Sequence, residues 1–192
     1  TILQKVPKGG NRKLLNKPSL VMGAIGIFVY VGAEVAIGSY LVNYFIDLEL
    51  SLAIQNSETM RSLSETLLGN SIVEVSNLAI VGAFVTFYWS GAMVGRFIGA
   101  YLTKIIKPAK VLSAFAIGAL VMIFISMSTT GFVAMWSILA VGLFNSIMFP
   151  TIFTMAIDGL DDLKPQASGV LCTMIVGGAI IPPLYGKLAD HF

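Results

Sequence analysis

Residues 20–46 read LVMGAIGIFVYVGAEVAIGSYLVNYFI, an unbroken apolar run whose single charge is Glu34. About 20 apolar residues rising 1.5 Å each cover the hydrocarbon core of a bilayer. The stretch therefore predicts a membrane-spanning helix with a carboxylate near its centre. An ionised carboxylate at that depth costs several kcal/mol and faces a packed interior or a water-filled cavity, not lipid. Two readings follow. Glu34 takes part in substrate binding, ion coupling or gating, or it is a neutral side chain hydrogen-bonded to a neighbouring helix as packing glue.

The rest of the chain agrees with a membrane setting. Of 192 residues, 56% are hydrophobic and 11% charged, and mean hydropathy is +0.86. A soluble domain carries far more charge, so the composition predicts an all-α integral membrane protein. The net charge of +2 gives no basis for a nucleic-acid partner. A single cysteine, Cys172, rules out an internal disulfide and reads as a small buried hydrophobe. Residues 1–18 are polar and basic and lack the apolar core of a signal peptide.

Working outward from the first run, hydropathy marks four further spans at residues 77–102, 109–127, 132–157 and 167–188. Pro182 and Pro183 interrupt the last and are expected to kink or unwind it. Trp136 and Tyr185 fall near predicted ends, where amphipathic aromatics favour the interface. Lys5, Lys8, Arg12, Lys13 and Lys17 precede the first span, and Lys104, Lys107, Lys110 and Lys164 fall in loops on the same side. The opposite side holds Arg61 and Lys187, with an acidic loop at 47–76. By the positive-inside rule the N-terminus is cytoplasmic and the C-terminus outside. In the loop, Met60, Leu63, Leu67 and Leu68 fall at helical spacing, and Ser62 with Glu65 matches a capping box. A short surface helix is expected there, as a passive connector or a lid.

Enzyme signatures are missing: no G-x-S-x-G, no H-E-x-x-H, no Walker loop and no Cys/His cluster. His191 reads as a solvated terminal residue. No cofactor or metal is implied. What the spans do hold is a sparse polar set. Tyr30, Glu34, Gly38 and Leu41 share a helix face, while Asn43 lies about half a turn round from Glu34 unless the helix breaks near Gly38-Ser39. Gly91, Gly95 and Gly99 form a small-residue stripe suited to close helix packing. Arg96 beside it either snorkels to the interface or pairs with an acid as a conformational latch. Phe84, Phe87, Tyr88 and Trp89 ring the second span, where an aromatic beside a cavity can stack on the apolar face of a sugar ring. In the fourth span, Pro150 frees the carbonyl of Ser146 close to Asn145, a discontinuity of the kind that marks ligand-lining or moving segments.

Four motifs in order carry a resemblance. They are Tyr30-Val31-Gly32-Ala33-Glu34, Gly95-Arg96-Phe97-Ile98-Gly99, Phe149-Pro150-Thr151-Ile152-Phe153 and Ile175-Val176-Gly177-Gly178-Ala179-Ile180-Ile181-Pro182. With the pattern of spans, they resemble the C-terminal half of a major facilitator superfamily transporter of the fucose/glucose/galactose permease family, from about residue 17 to 191. The resemblance implies twelve helices in two six-helix bundles around a central sugar site with alternating access. Residues 1–18 then belong to the cytoplasmic linker between the halves. Residues 19–192 form an incomplete C-terminal transmembrane bundle, helices seven to eleven, without the N-terminal half and the last helix.

On this mapping the family's proton-coupling carboxylates lie in the half not present. That favours Glu34 as a partner of sugar hydroxyls over Glu34 as proton carrier. The expectation is a fragment of a secondary hexose or 6-deoxyhexose transporter in a bacterial inner membrane, partnered by the bilayer, the sugar and a coupling proton, with sodium as the alternative ion. Glu34, Tyr30, Asn145 and one of Tyr88 or Trp89 are the expected substrate-binding residues, with Arg96 and Pro150 serving the conformational change. Two alternatives keep the same polar residues: an exporter of drugs or organic ions, in which Glu34 meets a cation, and a non-transporting membrane subunit, in which they only hold helices together.

Overall fold

The computed structural model describes residues 16–189 and 191. Within them, five stretches are long and apolar enough to cross a membrane: Pro18–Asp47, Asn77–Ile105, Pro108–Ser128, Gly131–Ile157 and Asp161–Ala189. The five predicted spans are borne out, with ends differing by a few residues except at the start of the fifth. Lys5, Lys8, Arg12 and Lys13, and all of the expected linker up to residue 15, lie outside the described residues.

Helix α1 (Pro18–Asp47) opens on a proline, whose missing N–H has no intrahelical partner to lose at that position. It runs without interruption, so the break considered at Gly38-Ser39 does not occur. One glycine and one serine in a long apolar run cost too little to outweigh its backbone hydrogen bonds. Asn43 is accordingly exposed and on a different face from Glu34. The chain divides into two compact units, one from Ile37 to Met148 and one formed by the segments up to Ala36 and from Phe149 onward.

The unit Ile37–Met148 is built around α6 (Gly131–Asn145), which packs along both α4 (Asn77–Ile105) and α5 (Pro108–Ser128), while those two touch each other far less. The predicted glycine stripe is what lets α4 approach. A Cβ on Gly95 would collide with the Leu143 carbonyl oxygen and lie 2.6 Å from Ser146 Oγ. A polar tie missed in the sequence joins three helices: Tyr44 Oη reaches the Ser126 carbonyl at 3.0 Å and its hydroxyl at 2.9 Å, and Ser126 Oγ donates to the Ala134 carbonyl at 2.9 Å.

The expected surface helix is in fact two, α2 (Leu50–Asn56) and α3 (Glu58–Leu68). They pack on each other and on α4, and α2 buries Leu50, Ser51 and Ile54. The capping box is corrected. Ser57 occupies the N-cap position, and Ser62 lies inside α3, where its carbonyl accepts from Thr66 Oγ1 at 2.8 Å. Glu65 instead ties the exit of the helix, accepting from Arg61 Nε at 3.3 Å and from the Ile72 amide at 3.2 Å. A carboxylate one turn from a C-terminus that ends on Gly69 in the left-handed region, φ 69°, has the following loop within reach.

The second unit holds the first part of α1, most of α7 (Met148–Ile157), α8 (Lys164–Thr173) and α9 (Gly177–Ala189). Its core comprises Leu20, Ile27, Val31, Ala156, Leu160, Ala167 and Leu171. Gly177 sits so close to α1 that a Cβ would strike the Phe28 carbonyl. The predicted fourth span is split: α6 ends at Asn145 and α7 begins at Met148, as the carbonyl freed by Pro150 anticipates. In the fifth span the prolines do not unwind the helix. Pro182 and Pro183 lie inside α9, and the irregularity is a 3₁₀ turn, Met174–Val176, ahead of it.

Cys172 is a further correction, because it is exposed. The buried stripe of α8 runs through Ala167 and Leu171, and the next residue along a helix turns about 100° away.

Candidate functional site

Helix α4 decides how its aromatic residues are used, because residues one apart point about 100° apart. Phe84 and Tyr88, four apart, both point into the unit and are 0% and 1% exposed, whereas Trp89 is 56% exposed. Phe84 and Phe87 meet Trp136 of α6 edge-on, with ring centroids 6.2 and 5.2 Å apart. Trp136, expected as an interface anchor, therefore also packs against α4.

Behind Trp89 lies a fixed polar contact. Asn145 Nδ2 donates to Tyr88 Oη at 3.1 Å, and both side chains are buried. A buried hydrogen bond of this kind is costly to break, since each freed group loses its partner without regaining water. Tyr88 and Trp89 meet edge to face, centroids 5.3 Å apart and planes at 89°. Gly142 gives room for the α4 backbone at Tyr88, and Gly38 of α1 leaves 3.7 Å between the position of a Cβ and the Trp89 indole Cζ2.

Trp89 then forms part of a groove of about 460 Å³ lined by Gly82, Val85, Thr86, Trp89, Ser90 and Met93. Their spacing is that of one helix face, and the volume lies within the range of small-molecule sites. The groove joins an aromatic face, two hydroxyls and the recess over a glycine, a combination that suits a compact ligand with both C–H and O–H surfaces.

The remaining expected residues lie elsewhere. Tyr30 and Glu34 are half-buried on α1 in the other unit, where Tyr30 packs beside the Leu20–Ile27 core cluster. The structure thus groups Tyr88, Trp89 and Asn145 in one unit and Tyr30 with Glu34 in the other.

Comparison with known proteins places this architecture. No family model matches the chain. A "Glucose/galactose transporter" of Brucella abortus is 49% identical over 171 residues, which are 89% of this chain and 36% of that one. A "Putative glucose/galactose transporter" of Helicobacter pylori is 40% identical over 188 residues, 97% of this chain and 40% of its own length. An "L-fucose-proton symporter" of Escherichia coli is 30% identical over 163 residues. The crystal structure of the E. coli fucose:proton symporter superposes with a TM-score of 0.78 at 24% identity, over 95% of this chain and 38% of that one, a likeness of fold. Over nearly its whole length the chain is similar to one part of these sugar transporters of the major facilitator superfamily.

The chain spans little more than a third of the length of the curated relatives it matches, 36% of the first. Its relatives are transporters by name, in keeping with the lack of an enzyme motif. Among the described residues, Arg96 is exposed and makes no hydrogen bond or ion pair, and Pro150 is exposed near the start of α7. Thr86 and Ser90 were missed in the sequence. The signal available was their place three residues before and one after Trp89, which shares their helix face.

Proposed function

We propose that this chain is the C-terminal part of a secondary transporter that carries a hexose or 6-deoxyhexose across a bacterial inner membrane by alternating access, with proton symport. The reading is supported by the names of the relatives, glucose/galactose transporter and L-fucose-proton symporter. The observation that carries it in this chain is Trp89. It presents an indole outward beside two hydroxyls, held in place by the buried Tyr88–Asn145 bond behind it.

Aldoses offer an apolar C–H face and a rim of hydroxyls. In this mechanism the C–H face stacks on Trp89; Glu34 and Tyr30, in the other unit, are proposed separately as partners of sugar hydroxyls. Tyr88 and Asn145, expected from the sequence to bind sugar, are bonded to each other and buried, and support the indole. A proton entering down 100 mV supplies about 2.3 kcal/mol, enough for about 50-fold accumulation of sugar. Sugar and proton must bias the two access states differently, since a ligand shifts an equilibrium only by its differential affinity. Arg96 pairs with an acid in the state where it closes, and the α6–α7 discontinuity ahead of Pro150 lets that segment bend. Residues 1–18 lie on the cytoplasmic side as a linker to an N-terminal half, and the acidic α2–α3 segment faces outward.

The test is uptake of labelled glucose, galactose and fucose by proteoliposomes holding the complete transporter, with and without an imposed pH gradient, for wild type and Glu34→Gln. Gradient-driven uptake weakened in the variant is the expected result. Uptake driven by a sodium gradient alone would replace the coupling ion, and folded protein that takes up no hexose would overturn the reading.

A further inference from the structure

Hydroxyls in membrane helices satisfy themselves by folding back on their own backbone, because lipid offers no partner. This chain does so repeatedly. Ser113 donates to the Ala109 carbonyl at 2.9 Å, Thr129 to Ile125 at 2.7 Å, Ser137 to Val133 at 2.7 Å and Thr173 to Gly169 at 2.9 Å. Thr86 and Ser90 do not. Both lie in the middle part of α4, both are exposed, and neither hydroxyl bonds to any described residue.

Their placement gives the open hydroxyls a use. They line the same groove as Trp89, with Gly82 providing a recess at one end and Met93 an apolar wall at the other. An open hydroxyl facing hydrocarbon would be penalised, so a polar occupant or water belongs against this face. Side-chain hydroxyls beside an indole match a pyranose ring, whose C–H face stacks while its edge hydroxyls donate and accept.

We propose that Thr86 and Ser90 hydrogen-bond the edge hydroxyls of a monosaccharide stacked on Trp89, making this face of α4 a subsite that selects among sugars by hydroxyl position. The inference rests on the transport reading above and goes beyond it in naming the residues that discriminate substrates. Tyr88 and Asn145, bonded to each other behind the indole, act as positioning residues for Trp89.

The experiment uses the complete transporter in proteoliposomes, with wild type, Thr86→Val and Ser90→Ala. KM is measured for whichever of glucose, galactose and fucose wild type takes up best, and for its single-deoxy analogues. Thr86→Val keeps the side-chain shape and removes only the hydroxyl. Each variant should raise KM for the parent sugar about 3- to 10-fold, the effect of one neutral hydrogen bond. The same variant should leave KM unchanged for the one analogue that lacks the hydroxyl it contacts. A KM that does not move, or that rises equally for every analogue, overturns the inference while leaving transport intact, and places lipid or another helix against this face. Wild type that takes up no hexose overturns the transport reading and the subsite with it.

Discussion

Trp89 and Tyr88 are neighbours in sequence with opposite fates, and the difference lies in the helix turn between them. Tyr88 is locked inward by Asn145, so its hydroxyl serves the packing of α4 on α6, while the indole of Trp89 is open. Trp89→Leu should raise the sugar KM about 3- to 10-fold by removing the stacking face, and Trp89→Phe should recover most of the loss. Equal effects for the two variants would argue against stacking. Tyr88→Phe and Asn145→Leu each leave a buried polar group short of one partner. Thermal denaturation of the purified protein should show a cost of about 1–3 kcal/mol for either single change. The double variant should cost less than the sum of the two, because the orphaned group is removed with its partner. Strict additivity would mean the 3.1 Å contact carries no coupling.

At the scale of elements, glycine positions decide whether helices fit. Gly91 and Gly95 belong to one stripe, yet the nearest atom to a Cβ on Gly91 is 3.5 Å away, while Gly95 faces the Leu143 carbonyl directly. Gly91→Ala should leave folded yield unchanged, and Gly95→Ala should lower it sharply, with overpacking costs of about 1–3 kcal/mol or more. Matching yields for both variants, read by size-exclusion chromatography, would remove this account of α4–α6 packing. Two buried serines make a second contrast. Ser126 joins Tyr44 to the Ala134 carbonyl, so Ser126→Ala should cost about 1–3 kcal/mol. Ser64 of α3 is 0% exposed and its hydroxyl has no hydrogen-bond partner among the described residues, so Ser64→Ala should be neutral or slightly stabilising. A fall in melting temperature for Ser64→Ala would show that the hydroxyl is hydrogen-bonded in the folded protein.

For the whole molecule, the orientation proposed from the distribution of Lys and Arg is one that labelling can check. With Cys172 replaced by Ala in the complete transporter, Ser62→Cys in α3 should react with an impermeant maleimide added outside intact cells. Lys107→Cys in the α4–α5 turn should react only after the membrane is opened. The reverse pattern would invert the topology and with it the assignment of residues 1–18 to the cytoplasmic side.

Long-period signals were legible in the sequence. Apolar runs of bilayer length in a chain with few charges leave no soluble alternative, so the five spans and their all-helical class followed from composition and hydropathy alone. Close packing along the stripe, realised at Gly95 and Gly99, and the discontinuity before Pro150 were also readable, since each arises from the chemistry of one residue type. Contacts between distant segments were not. The Tyr44–Ser126 tie spans 82 residues of sequence and the Tyr88–Asn145 bond 57, and no local pattern distinguishes such pairs from any other tyrosine, serine or asparagine in an apolar run. Cys172 was misplaced for a related reason: in a membrane helix both faces are apolar, so hydropathy cannot say which one packs. The capping box failed because Ser62 and Glu65 fit that spacing equally well inside a helix. Length and polarity sufficed for the architecture. Which side of each helix faces its neighbours depends on the rotation of packed helices, and that only the tertiary structure decided.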